Sequence, residues 1–460
     1  MSFRLVLLGL LLLVPQAQTQ PYFTTAFPPE EFAARRQRVM QEIGDGVAVL
    51  QGATERPAES PFRQNNQLFY LSGVEVPRAI LLIDGRAKRS TLYLPPTDRW
   101  SRMWGPILST DGDAARITGI EAVAKREEFE AAVTALNGRT IFTPLRAEVL
   151  GSGSAGDAAA LARANAADPW DGRASREQVF ADKLKARSGA TEIKDLDPIV
   201  DGLRFVKSPR EIAVIREATR ITGLGILAAM REAAPGKFEY ELQAAAEYEF
   251  KRHNAQGAAY FALVATGKNT PLSHYHRNNT RLADGDLVQF DYAPDYNYYV
   301  SDVTRVFPAN GRFTAWQREY YAIYLRLYRS VLESIRPGVP VSEIVADAVK
   351  KMDAAMASFA FTDPRIKAAA AAFVERYRTS KARSLGHTIG MEVHDVTRRT
   401  DVLVPGQLFT IEPAMPVPEL GIGMRLEDAI LVTETGYENL SAAIPTEIDA
   451  IEKIMQERRR

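Results

Sequence analysis

Residues 287–307 read LVQFDYAPDYNYYVSDVTRVF, and this stretch brings two acids next to strand-like sequence. The runs at 287–290 and 303–307 are rich in β-branched and aromatic residues, which predicts two strands. Asp291 ends the first run, and Asp302 comes directly before the second. A carboxylate among such residues is costly to bury unless it is paired or bound to a metal. The two acids are therefore candidates for a functional site.

The same pattern returns about a hundred residues later. Leu-Phe-Thr-Ile runs into Glu412, and Glu427 precedes Asp-Ala-Ile-Leu-Val. Three of the five histidines, His274, His387 and His394, lie in the same part of the chain. Four strand-borne carboxylates with a histidine nearby indicate a shared cation, since each acid alone is more often a turn former or a solvated residue.

A repeated sequence pattern accompanies these acid pairs. Helix-like sequence runs into Pro235-Gly236 and resumes after it, and the same order recurs at Pro337-Gly338. Each unit is followed by one acid pair, which predicts a duplicated α+β unit whose acids converge. The alternative is that Pro-Gly is ordinary punctuation after a helix.

The first half of the chain has the character of a separate α/β domain. We expect a domain over residues 21–200 and a second over residues 201–460. Residues 151–168 are rich in Gly and Ala, and they predict a loop or a loose helix. Ser208-Pro209-Arg210-Glu211 is a capping box that begins a helix after a crossing at 197–207. In the first domain the pattern predicts a helix at Glu31–Ile43 and strands at Val47–Leu50, Phe69–Leu71, Ala79–Ile83 and Ser90–Leu94.

Composition and charge exclude several classes of function. Lys+Arg and Asp+Glu balance at 57 each, so no basic excess points to nucleic acid. The content of 46% hydrophobic and 25% charged residues is typical of a globular protein. The chain has no cysteine, which excludes disulfides, thiolate metal ligands and a cysteine nucleophile.

The N-terminus has the pattern of a secretory signal. Arg4 precedes an apolar run from Leu5 to Val14, and the small residues Ala17 and Thr19 follow. The run is too short for a comfortable membrane span. We expect a signal peptide over residues 1–20, a periplasmic or secreted protein, and no stable membrane insertion.

Taken together, these motifs resemble the pita-bread metallopeptidases, the family of aminopeptidase P, prolidase, creatinase and methionine aminopeptidase. The resemblance covers roughly residues 205–445 and five ligand positions agree in type, order and spacing. The run Phe62–Gly73 is similar to the N-terminal domain of aminopeptidase P. The matching segments of the second half are Asp291 with Asp302, Gly386–Asp395, Thr410-Ile-Glu412-Pro413 and Arg425-Leu-Glu427-Asp428.

The resemblance implies an α/β protein with a smaller N-terminal domain and a pseudo-twofold pita-bread catalytic domain. It implies that Asp291 binds one metal, that Asp302 and Glu427 bridge two metals, and that His387 and Glu412 bind the other. It places His274, His394 and Arg425 beside the metals as catalytic residues, with Glu412 as the proton carrier. An oxygen-rich set of this kind suits Mn²⁺ best, with Co²⁺, Fe²⁺ or Zn²⁺ as competitors.

The activity implied is release of an N-terminal residue that precedes proline, from proline-containing peptides. One position departs from the family pattern, because Arg383 stands where a histidine is usual, four residues before His387. A prolidase, which accepts only dipeptides, and a non-catalytic peptide-binding module remain as alternatives. We expect a homo-oligomer. His253 and His276 are expected at the surface or behind the metal ligands.

Overall fold

The computed structural model describes residues 26–55, 61–105, 107–110, 113–149, 151–398 and 400–457. The predicted signal peptide lies outside these residues. The helices are α1 Pro29–Ile43, α2 Asn66–Ser72, α3 Asp98–Trp104, α4 Ala114–Thr118, α5 Phe129–Thr134, α6 Ala155–Ala167, α7 Arg176–Ser188, α8 Asp197–Phe205, α9 Pro209–Glu232, α10 Glu239–Arg252, α11 Ala315–Leu332, α12 Val341–Ser358, α13 Pro364–Thr379 and α14 Ile448–Glu457. The strands are β1 Val47–Gln51, β2 Ile80–Asp84, β3 Arg89–Leu94, β4 Ala122–Lys125, β5 Thr140–Thr143, β6 Glu192–Asp195, β7 Gly257–Ala258, β8 Leu263–Thr266, β9 Leu287–Asp291, β10 Pro294–Tyr296, β11 Tyr299–Val300, β12 Thr304–Pro308, β13 Leu408–Ile411, β14 Asp428–Val432 and β15 Tyr437–Asn439.

The first half is built on one mixed sheet of six strands in the order β4-β3-β2-β1-β5-β6. β1 pairs with β2 antiparallel and with β5 parallel. Both faces of β1 and β2 are buried, which explains their continuous apolar sequence. The strands predicted at Val47–Leu50, Ala79–Ile83 and Ser90–Leu94 are confirmed to within a residue.

Other local predictions for the first half were wrong or left open. Residues 69–71 are not a strand but part of α2, because Asn65 caps the helix by accepting from the Leu68 N–H and Gly73 ends it with φ +67°. The Gly/Ala-rich patch is α6, capped by Ser154. The crossing between the halves is also helical, since α8 occupies residues 197–205.

The second half contains the duplicated unit that the repeated Pro-Gly pattern predicts. α9 and α10 are joined through Gly236 (φ +92°), and α11 and α12 through Gly338 (φ +71°). An antiparallel hairpin-like pair follows each helix pair, β9 with β12 and β13 with β14. In register, Asp291 lies opposite Thr304, and Ile411 opposite Asp428.

The two strand pairs meet at the beginnings of β12 and β14. The Glu427 N–H donates to the Thr304 carbonyl at 3.1 Å. The buried Arg305 guanidinium donates to the Glu427 carbonyl at 2.7 Å and to the Asp428 carboxylate at 2.7 Å. Because both strands begin at this junction, the acids at their ends point into one space.

The first half packs against the second through direct side-chain contacts. The Phe69 ring stacks on Tyr298 at 3.5 Å between centroids, and Arg63 Nε lies 2.7 Å from Asp295 Oδ2. One buried apolar cluster includes residues of both halves, among them Leu71, Tyr299 and Met391. Among the described helices, none combines the length and the apolar character that crossing a bilayer requires.

Candidate metal centre

A cavity of about 390 Å³ opens where the two strand pairs meet. All the site residues predicted from the sequence line it, and they come from both units of the duplicated half. These residues are His274, Asp291, Asp302, His387, His394, Glu412, Arg425 and Glu427.

The strand ends position the four carboxylates. Asp291 is the last residue of β9, and Asp302 comes two residues before β12. Glu412 follows β13 directly, and Glu427 directly precedes β14. Asp291, Asp302 and Glu427 are buried, whereas the Glu412 side chain keeps 31% of its exposure. Glu412 is therefore the acid of this set most open to the cavity.

His387 stands in the middle of the acids. Its Nε2 lies 3.2 Å from Glu412 Oε1, 3.5 Å from Asp302 Oδ2 and 3.8 Å from Glu427 Oε1. One ligand atom each from Asp302, His387 and Glu427 fits within 4.8 Å. Such spacing is that of side chains able to share one ion.

Burial and mutual repulsion make two of the acids hard to ionise. Burial raises the pKa of Asp302 well above its ordinary value, and the charges of Asp291 and Glu412 raise it further. Burial likewise raises the pKa of Glu427, with Asp302 and Glu412 adding to the effect. A cation relieves both causes, because it compensates the negative charge that repulsion and burial disfavour.

The pKa values of the more exposed groups are shifted in directions that suit proton transfer. Burial alone would raise the pKa of Glu412, but the hydrogen bond and charge of His387 lower it. Burial would lower the pKa of His387, yet Glu412 and Glu427 raise it. The pKa of His394 is lowered by burial and by the charge of His387. His394 is thus neutral at physiological pH.

Glu427 carries an unsatisfied buried oxygen. Oε1 of Glu427, a residue 1% exposed, has no hydrogen-bond partner among the described residues, and it faces His387. Buried polar atoms are almost always paired, so an orphaned carboxylate oxygen aimed at other ligands indicates a place for a cation. The donor set of four carboxylates and one imidazole fits a hard or borderline divalent ion.

Close packing holds the segment that carries His387 and His394. A Cβ at Gly386 would collide with the carbonyl oxygen of Thr410, so only glycine lets this loop approach β13. The Thr388 hydroxyl donates to the Asp395 carbonyl at 2.8 Å. The Asp395 carboxylate in turn lies 2.5 Å from Arg204 and 2.8 Å from Lys207, with all three buried.

The sequence reasoning missed Tyr260. Its hydroxyl lies 2.6 Å from Oδ1 of Asp291 and 2.6 Å from Oδ1 of Asp302. A phenol has one proton to donate, so one of the two contacts needs a proton on the acid or a cation nearby. No sequence signal marks this tyrosine, because it lies 31 residues before Asp291 and joins it only through the fold.

The contribution of the first half to the site was also missed. Residues 151–154 and Asp157 line the same cavity. The Val393 N–H donates to the Ser152 carbonyl at 2.9 Å, and the Ser152 hydroxyl donates to Ala259 at 2.8 Å. The backbone of Ser154 pairs with that of His394 in an isolated parallel β-bridge. The loop that precedes α6 is therefore fixed to the segment that carries a predicted catalytic histidine.

Three residues singled out in the sequence lie outside this cavity. Arg383 is exposed and lines a neighbouring cavity of about 390 Å³, which shares His387 and Glu412 with the first. His276 is exposed beside the Phe261 ring, and His253 donates from Nδ1 to the Glu249 carbonyl at 2.9 Å. Neither histidine lines the cavity, in agreement with the surface role expected of them.

Family models match both halves in order. Residues 213–434 match metallopeptidase family M24, and residues 32–142 match the aminopeptidase P N-terminal domain. The Xaa-Pro aminopeptidase of Escherichia coli is 33% identical over 447 residues, which cover 93% of this chain and 97% of the relative. Human Xaa-Pro aminopeptidase 3 is 28% identical over 92% of this chain and 85% of its own length.

Solved structures agree with the fold. A putative aminopeptidase P from Bacillus anthracis superposes with a TM-score of 0.78 at 26% identity, covering 94% of this chain and 99% of the other. Zinc-substituted aminopeptidase P from Escherichia coli, in complex with product, gives a TM-score of 0.74 at 31% identity over 94% of this chain and 99% of the other. The predicted fold, a smaller α/β domain followed by a pita-bread domain, is confirmed. By this full-length similarity, the chain belongs to metallopeptidase family M24 and is an enzyme of that family.

Proposed function

We propose that this protein is a dinuclear, metal-dependent Xaa-Pro aminopeptidase, which releases the first residue of peptides that have proline second. The convergence of Asp291, Asp302, His387, Glu412 and Glu427 on one cavity carries the proposal. Relatives named Xaa-Pro aminopeptidase match along nearly the whole chain. Two carboxylate pairs and one imidazole supply enough ligands and negative charge for two divalent ions.

The five ligand residues would hold the ions, which supply Lewis acidity and a water acidic enough to attack near neutral pH. Glu412 is ionised, since its pKa is lowered, and it is the acid most open to the cavity. It would take the proton of the attacking water and pass it to the leaving nitrogen. His394 is neutral and would donate a hydrogen bond to the substrate carbonyl as negative charge develops there.

Arg425 and His274 would orient the other groups. The Arg425 guanidinium contacts the Asp291 carboxylate and has one nitrogen 3.9 Å from Glu412 Oε2. It would hold both acids in place without itself titrating, because its pKa is raised by Asp291 and Glu427 despite its burial. His274 lines the cavity on the opposite unit from His394 and would face the peptide substrate.

A prolidase is the second candidate, and Arg383 is the observation that favours it. An arginine that lines the same cavity as His387 and Glu412 suits the terminal carboxylate of a dipeptide. Against it, a Pyrococcus furiosus Xaa-Pro dipeptidase, 32% identical, matches over only 57% of this chain. A non-catalytic peptide-binding module is disfavoured, since all five ligand positions are filled.

The decisive experiment measures hydrolysis of Ala-Pro against Ala-Pro-Ala, with Ala-Ala-Ala as the control, after loading with Mn²⁺. Release of alanine from Ala-Pro-Ala alone supports the proposal. Release from Ala-Pro alone moves the assignment to a prolidase. No release of alanine from either peptide refutes the enzymatic proposal.

Ion number is tested separately by elemental analysis of loaded, desalted protein. Close to two equivalents are expected, and Asp302→Ala should reduce this number, with the exposed Asp353→Ala as control. A stoichiometry that Asp302→Ala leaves unchanged would refute the dinuclear proposal. Mn²⁺ is the ion we expect to activate best, ahead of Co²⁺, Fe²⁺ and Zn²⁺.

Export and assembly complete the proposal. The basic residue, apolar run and small residues at the N-terminus support export to the periplasm or outside. N-terminal sequencing of mature protein should find a start near residue 20, and a start at Met1 in the cytoplasm would refute export. Sedimentation should find a homo-oligomer, and a monomer at all concentrations would refute that part.

A further inference from the structure

A second cavity, of about 550 Å³, opens beside the metal centre on the surface of the first half. We name it the α6 groove. One wall is a face of helix α6, formed by Asp157, Ala158, Leu161, Ala162 and Asn165. The facing wall comes from residues 147–149 and 173–177. The spacing of the five helix residues is that of a single helical face.

The groove is continuous with the metal centre. Gly153, Ser154 and Asp157 line both cavities. A peptide that passes Ser154 on leaving the metal centre therefore reaches the α6 groove next. Because Ser154 is bridged to His394 and caps α6, the position of the helix is tied to that of the catalytic segment.

Helix α6 is held mainly at its beginning. Ala155 is the only buried residue of this helix, and Leu161 is 62% exposed. A leucine on a groove wall, next to an active-site cavity, gives apolar contact to a ligand at little cost. The helix thus has the place and the surface of a binding wall.

The two arginines along the groove are paired, whereas two of its acids, Asp157 and the buried Glu177, form no ion pair with a described residue. Arg173 is bound to Asp171 through two hydrogen bonds of 2.6 and 2.8 Å, and Arg176 lies 3.5 Å from Glu148. Asp157 is exposed and forms no ion pair with any described residue. The junction of the two cavities therefore has one unpaired negative charge, which favours a cationic side chain there.

We propose that the α6 groove binds the part of a peptide substrate that follows proline, with a basic side chain preferred where the chain passes Asp157. The inference rests on the proposed aminopeptidase function and assigns a subsite to it. From Asp157 to Asn165 the helix spans roughly 12 Å at about 1.5 Å per residue. An extended peptide rises about 3.3 Å per residue, so the groove takes about three to four residues beyond proline.

The test compares kcat/KM for a series from Ala-Pro-Ala to Ala-Pro-(Ala)₆. We expect a rise of about tenfold that levels off at five or six residues, because binding of remote residues lowers the barrier for the reacting ones. Ala162→Trp fills the groove and should bring the ratio of long to short substrate close to one. The matched control, Ala167→Trp at an exposed position of α6 turned away from the groove, should keep the wild-type ratio.

A second measurement does not depend on turnover. Peptides that begin with proline resemble the product, and their inhibition constants should fall with length in the wild type but not in Ala162→Trp. With a lysine scan of positions three to five, the wild type should prefer Lys over Glu, and Asp157→Asn should remove that preference.

The outcomes separate this inference from the function it rests on. Cleavage of Ala-Pro-Ala with kcat/KM independent of length overturns the groove and leaves the aminopeptidase intact. Equal effects of Ala162→Trp and Ala167→Trp on the length ratio also overturn it. No cleavage of any Xaa-Pro peptide by metal-loaded protein refutes the proposed function, and proline-led peptides that then bind with length-independent affinity refute the groove as well.

Discussion

The hydroxyl of Thr304 donates to Oε2 of Glu427 at 2.8 Å, while the Glu427 N–H donates to the Thr304 carbonyl at 3.1 Å. This double contact joins the strand pair of one unit to that of the other. It satisfies one oxygen of the carboxylate and leaves Oε1 facing His387. Thr304 therefore orients the Glu427 carboxylate without being one of the proposed metal ligands.

Thr304→Val should weaken metal binding by about ten- to a hundredfold, since the second partner of a ligand fixes its orientation. Competition with a fluorescent chelator measures the dissociation constant. Thr222→Val is the control, because that buried hydroxyl donates to the Ala218 carbonyl away from the site. Equal affinity in the two variants would show that Glu427 needs no orientation from Thr304.

His394→Ala should keep its ions but slow turnover by roughly a hundredfold or more, as expected for loss of a hydrogen bond made in the transition state. The ring centroid of His394 lies 4.1 Å from that of His387, so it adjoins a proposed ligand. Metal content and kcat measured together decide the role. His276→Ala is the control, and loss of metal in His394→Ala would make His394 a ligand.

Arg383→His should shift preference toward longer peptides if the arginine binds a terminal carboxylate. Arg383 lines the cavity that shares His387 and Glu412, so a short substrate is within its reach. The ratio of kcat/KM for Xaa-Pro-Xaa to Xaa-Pro should rise severalfold, because a bidentate charge contact is lost. Arg378→His, at an exposed arginine paired with Asp353, should leave the ratio unchanged. An unchanged ratio in Arg383→His as well would remove Arg383 from substrate binding.

Asp395→Asn should destabilise the fold by about 3–5 kcal/mol at pH 7, because it leaves Arg204 and Lys207 buried without their partner. Burial alone would raise the pKa of Asp395, but Lys207 and Arg204 hold it below its ordinary value. A carboxyl with a lowered folded-state pKa contributes stability above its unfolded value of about 3.9.

That contribution is lost as the pH falls through the folded-state pKa. Urea denaturation at pH 7 should therefore show the full difference between wild type and Asp395→Asn, and the difference should shrink from about pH 4 downward. Asp353→Asn, which removes an exposed pair with Arg378, should cost less than about 1 kcal/mol at any pH. A difference that stays constant with pH would contradict the role of Asp395 as a charged partner.

The sequence predicted the duplicated half and its site because the signals there are local. Asp291, Asp302, Glu412 and Glu427 each adjoin an apolar run, and the Ser208 capping box and the Pro-Gly turns mark helix ends within a few residues. The four acids and the nearby histidine indicate a shared cation, and the family resemblance that these segments carry supplies the role of each residue.

The remaining features depend on contacts between distant parts of the chain. Residues 69–71 have the composition of a strand, but the caps at Asn65 and Gly73 decide the conformation. Tyr260 and the loop before α6 reach the acids only through tertiary packing, with no periodicity or motif to mark them. The ion network of Arg204, Lys207 and Asp395 joins segments nearly two hundred residues apart, which a single sequence does not reveal.

The raised pKa values of Asp302 and Glu427 make ion uptake an acid-releasing reaction. A cation that binds these two carboxyls competes with protons for them, and the raised pKa values carry that competition to a higher pH than for ordinary carboxyls. Apparent affinity for Mn²⁺ should therefore rise with pH. Calorimetric titrations in buffers of different ionisation enthalpy should detect protons expelled as Mn²⁺ binds. Acidification should therefore weaken ion binding, so the crowding of these carboxyls ties metal occupancy to the pH of the surroundings.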